Sequence, residues 1–99
     1  MELIIQHTVR DFDAWKRVFD DHEAVRARYG SQGHTLYRSG EGGNDVTAIT
    51  RWPSRERAEE FAADPSLREA MERGGVVSEP RIAWAEEVEN RSYAATRAA

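Results

Sequence analysis

The chain has 99 residues, of which 39% are hydrophobic, 9% aromatic and 32% charged, and its formal net charge is −4. That length leaves room for one core and no second domain, and three each of Trp, Tyr and Phe exclude a disordered chain. Thirteen of the 14 basic residues are Arg, scattered rather than clustered, so a nucleic-acid or anionic-membrane partner is not expected, and the lack of Cys excludes disulfides, a thiolate nucleophile and a Cys-ligated metal.

Leu3 to Val9 is β-branched and apolar on both alternating faces, the pattern of a central strand covered on both sides. Asp11 suits an N-cap, and Phe12, Trp15, Val18, Phe19, His22, Val25 and Tyr29 follow at the helical period, predicting one helix that stops near Gly30. Gly33 to Ser39 is a short second strand, joined through the glycine-rich turn at 40–45 to a third strand, Val46 to Trp52, antiparallel to it. Ser54 starts a helix with Ala58, Phe61 and Ala62 on one face. Asp64-Pro65 interrupts that helix and restarts it as a second segment carrying Leu67, Ala70 and Met71. A fourth strand runs from Arg81 to Val88. The domain is expected over residues 1–89, with 90–99 a frayed tail lacking periodicity. No apolar run approaches the roughly 20 residues of a membrane span and no signal peptide is visible, so cytoplasm is the expected compartment.

The order β-α-β-β-α-β predicts an α+β fold of ferredoxin-like type, a four-stranded antiparallel sheet with its helices on one face. Two helices cover one face only, yet the first strand is apolar on both, and the fourth offers Ile82, Trp84 and Val88 on one side with Ala83 and Ala85 on the other. A homodimer through the uncovered face is therefore expected.

The order of elements, the Trp closing the third strand and the run Trp52-Pro53-Ser54-Arg55-Glu56-Arg57-Ala58-Glu59-Glu60-Phe61 resemble the dimeric α+β barrel superfamily, the antibiotic biosynthesis monooxygenase-like proteins in particular. Gln6 to Asp20, Tyr37-Arg38 and Leu67 to Met71 look like a bacterial branch described as cyclase-like. The resemblance spans about residues 2 to 89 and implies a pocket between sheet and helices, with the opposite face used for dimerisation. Polyketide cyclases, cofactor-free monooxygenases, isomerases and haem-degrading enzymes share this fold, so it does not fix the reaction.

His22 lies on the apolar stripe of the first helix, aimed at the sheet, and is the leading acid/base candidate, with a hydrogen-bonded core His as the alternative. The resemblance lends a base role to His7 as well, although periodicity leaves its face open. His34 is expected at the surface. Trp15, Phe19, Tyr37, Trp52, Phe61, Met71 and Trp84 are the expected lining for a small aromatic or polyketide-like molecule, against the alternative of plain core. Arg26 and Arg38 are candidates for a substrate carboxylate or, alternatively, solvated charges. The three His sit on three elements without ligand spacing, so no metal and no cofactor is expected. Three functions stay open: a cofactor-independent cyclase of a polyketide-type or aromatic precursor, placed first; a cofactor-free monooxygenase; and a non-catalytic protein that binds an apolar metabolite.

Overall fold

The computed structural model describes residues 1–94. Four strands, β1 (Glu2–Thr8), β2 (Gly33–Ser39), β3 (Asp45–Arg51) and β4 (Arg81–Ala85), form one antiparallel sheet in the order β2-β3-β1-β4. Four helices, α1 (Phe12–Asp21), α2 (Glu23–Arg28), α3 (Arg55–Ala62) and α4 (Pro65–Arg73), cover one face of it. The fourth strand is shorter than its sequence suggests, and residues 86–94 form no helix or strand. Of the expected tail, 95–99 lie outside the described residues.

Side-chain caps set where the helices start. Asp11 accepts from the Ala14 N–H at 2.9 Å, Ser54 from Arg57 at 3.2 Å and Asp64 from Ser66 at 2.8 Å, each satisfying a donor that the first helical turn leaves without a partner. Pro65 then occupies the first position of α4, where a missing N–H costs nothing. The long first helix differs from its expected form, because it divides at His22. There the N–H is shared between Val18 and Phe19 carbonyls at 3.0 and 3.2 Å, a tightened turn between α1 and α2. The β2–β3 turn needs its glycines: Gly40, Gly42 and Gly43 have φ of 81°, 83° and 70°.

Register decides which face each strand residue takes. In β1, Leu3, Ile5 and His7 are buried beneath the helices, while Glu2, Ile4, Gln6 and Thr8 face away. Leu3 and Ile5 pack with Trp52, Ala58 and Phe61. A second cluster of Val9, Trp15 and Val46 fills the other end. On the uncovered face Ile4 lies opposite both Ile49 and Ala83, and Tyr37 lies opposite Thr47.

Candidate functional site

Between sheet and helices lies a cavity of about 50 Å³, room for a few water-sized groups. Its floor is Ile5 and His7 of β1 with Ala48 and Thr50 of β3. Trp15, Val18 and Phe19 of α1, the adjacent His22, and Arg26 of α2 form one wall; Phe61, Leu67, Ala70 and Met71 of α3 and α4 form the other. A one-ring molecule is larger than this space, so its binding requires wall side chains to move. Met71, unbranched and half-buried, is the wall most readily displaced.

His7 is 7% exposed, and neither ring nitrogen has a hydrogen-bond partner. Its ring meets Trp15 edge-on, with centroids 5.6 Å apart. Burial lowers its pKa, so the imidazole is neutral near pH 7 and keeps a free lone pair. Trp15 stacks on Phe19 at 5.0 Å, and the Arg26 guanidinium stands over the Phe19 ring, 3.7 Å from its centroid. Arg26 is 3% exposed and forms no ion pair among the described residues, and its Nη2 has no partner. Burial lowers its pKa, opposed by the fields of Glu23 and Asp20. The only buried side-chain polar atoms without partners among the described residues are these three nitrogens, two of His7 and one of Arg26. They border the same cavity.

His22 has a partner where His7 has none. Its Nε2 lies 2.8 Å from Ser66 Oγ, and its pKa is lowered by burial and then by the Arg26 charge. The Ser66 N–H is held by Asp64, whose second oxygen accepts from Tyr29 at 2.6 Å. The Tyr29 and Ser66 hydrogen bonds depress the Asp64 carboxyl to about 2. His22 thus ties the α1–α2 junction to the α3–α4 corner while exposing its ring to the cavity.

Of the two acid/base candidates and seven lining residues expected from sequence, His7, His22, Trp15, Phe19, Phe61 and Met71 meet at this cavity. Three stand elsewhere. Tyr37 is on the uncovered sheet face, 57% exposed, because its neighbour Leu36 takes the inward position. Trp52 is core, packed on Phe61 with its Nε1 donating to Thr50 Oγ1 at 2.8 Å. Trp84 is paired beside Leu3 and lies under the Arg55 guanidinium. His34 is half-buried rather than exposed, with its ring edge-on to Phe19. Arg38 bonds the Gly43 carbonyl and covers Phe12. Arg26 departs furthest from a solvated charge: residues 15, 19, 22 and 26 follow one another at helical spacing, a signal that places it on the buried stripe. Among the described residues no cluster of His, Cys, Asp or Glu suits a metal, and no helix is long and apolar enough to cross a membrane.

No protein-family profile matches the sequence, and no curated protein does. Solved structures do. A candidate antibiotic biosynthesis monooxygenase from Bordetella bronchiseptica superposes with a TM-score of 0.75 at 16% identity, over 89% of this chain and 96% of its own. SnoaB, a cofactor-independent oxygenase from Streptomyces nogalater, gives 0.68 at 22% identity, over 88% and 93%. The chain has the ferredoxin-like fold of these monooxygenase-type neighbours. A dimeric ferredoxin-like protein from an uncultured marine organism has the same fold, with a TM-score of 0.62 at 9% identity over 93% and 98% of the two chains.

Proposed function

We propose that the protein is a cofactor-independent oxygenase of a small, enolisable aromatic molecule. The observation that carries this reading is the His7 imidazole, buried, neutral and without a partner in an apolar cavity. Such a group accepts one proton from an activated methylene, leaving a carbanion and an imidazolium. The carbanion reduces dioxygen and captures it as a peroxide anion on the same carbon, which takes the proton back from His7 to become a hydroperoxide. Loss of water from the hydroperoxide, with the second methylene hydrogen, leaves a ketone. One methylene and one dioxygen thus become one carbonyl and one water. The apolar walls protect the carbanion from quenching by solvent. The stated activity of SnoaB favours this reading over the cyclase one.

Incubation with an anthrone, a tricyclic ketone with an activated methylene, is expected to consume one dioxygen per ketone formed, with no flavin, haem or metal added. An oxygen electrode and product mass measure both quantities. Binding of the anthrone with no oxygen uptake and no ketone formed would contradict the oxygenase and leave the cyclase and the non-catalytic protein.

The site is proposed to work within a homodimer joined through the uncovered face. Ile4, Ile49, Ala83, Ala85 and Tyr37 lie there, an apolar centre that a monomer leaves in water. Light scattering is expected to give twice the 11.3 kDa chain mass at micromolar concentration. A monodisperse monomer would contradict it.

A further inference from the structure

Arg26 sits where a guanidinium is costly. Moving an ion out of water is unfavourable unless a counter-charge and hydrogen bonds offset it. At 3% exposure it has no ion pair among the described residues and an Nη2 without an acceptor: Asp20, one helical turn and a half before it, is engaged by Lys16 at 2.6 Å, and Glu23 contributes only its field. What holds the group is the Phe19 ring, 3.7 Å beneath it, and stacking of that kind occupies a face of the guanidinium and leaves the in-plane N–H donors free. One of those donors, Nη2, is buried and without an acceptor, and the residue borders the cavity. The remaining lining is aromatic or aliphatic apart from His7, His22 and Thr50, and the Thr50 hydroxyl already donates to the Leu3 carbonyl at 3.0 Å.

We infer that the cavity recognises an aromatic acid, a flat apolar body lying along Trp15 and Phe19 with its carboxylate on Arg26. A carboxylate supplies both things the guanidinium lacks, a negative charge and two oxygens in one plane. This rests on the oxygenase reading only in using the same site, since binding requires no turnover. Among molecules with a reacting methylene it favours those that also carry an acid, with His7 left free for the proton.

The test compares benzoate with benzamide, two probes of the same shape and different charge, titrated calorimetrically into the full chain at about pH 8, where the acid is ionised and the histidines are neutral. Benzoate is expected to bind at least about tenfold more tightly, as hydrogen bonds to a charged partner require. Arg26→Gln is expected to bring the ratio to about one, and Arg26→Lys, which keeps the charge should the Gln variant fail to fold, to retain a reduced preference. Equal affinities in the wild type, a preference that survives Arg26→Gln, or no binding of benzoate up to about 10 mM would each overturn the inference. Acid preference without oxygen uptake on any acid substrate would remove the oxygenase reading and leave this one standing.

Discussion

Replacing His7 by leucine is expected to lower turnover at least about 100-fold while making the folded protein more stable. The loss of rate follows from removing the only imidazole at the cavity with both nitrogens free. The gain in stability follows from the same fact, because each buried polar atom without a partner costs about 1–3 kcal/mol and leucine has none. A gain of about 1 kcal/mol raises the Tm of a domain this size by about 4–8 °C. The pH profile supplies a second readout. Burial puts the pKa of His7 in the folded protein below its unfolded value of 6.5, so the unfolded chain binds more protons in acid. The wild type therefore keeps its full stability above pH 6.5 and loses part of it as the pH falls toward the depressed value. His22 and His34 shift in the same direction, so His7→Leu is expected to flatten this slope without abolishing it. Thermal unfolding at several pH values beside steady-state assays measures all three effects. A lower Tm with unchanged turnover would assign His7 to packing.

Trp52 is expected to behave in the opposite way. It is 1% exposed at the centre of the Leu3, Ile5, Ala58 and Phe61 cluster, so Trp52→Ala removes the largest buried side chain of that cluster. Such truncations cost about 3–5 kcal/mol, a large share of the roughly 5–15 kcal/mol that holds a domain folded, and the variant is expected to melt at least about 12 °C below the wild type. Trp52→Phe keeps most of the volume and gives up one hydrogen bond to Thr50, worth about 1 kcal/mol. Since the indole does not line the cavity, kcat and KM of this variant are expected to stay within about twofold of wild type. Circular dichroism and kinetics on the pair decide the matter. A large fall in kcat for Trp52→Phe with an unchanged Tm would place the indole at the reaction.

How much of this was legible in the sequence depends on which physical rule governed each residue. Helix starts at Asp11, Ser54 and Asp64 were legible because capping is local chemistry. The inward set of α1 was legible because its period is strong. The face of His7 was not, since Ile4 and Ile5 make β1 apolar on both sides, and only pairing with Val46 of β3, itself buried, settles the matter. Tyr37 is hard to place from sequence for a related reason: an aromatic residue in a short strand looks inward until its alternation with Leu36 is followed. Charge, a property of the residue type, hid the burial of Arg26, although its spacing from His22 on the helix carried the signal. Trp52 lies just beyond β3, held by its N–H to the Met1 carbonyl at 2.9 Å, where neither period applies.

The cavity also has a mechanical consequence. Space enclosed by a folded chain disappears when the chain unfolds, so compression favours the unfolded form in proportion to that space. A void bounded by Phe19, Leu67 and Met71 is therefore a point of weakness under hydrostatic pressure, and a molecule that fills it removes the weakness. For this protein, volume would report occupancy of the site without reference to any reaction.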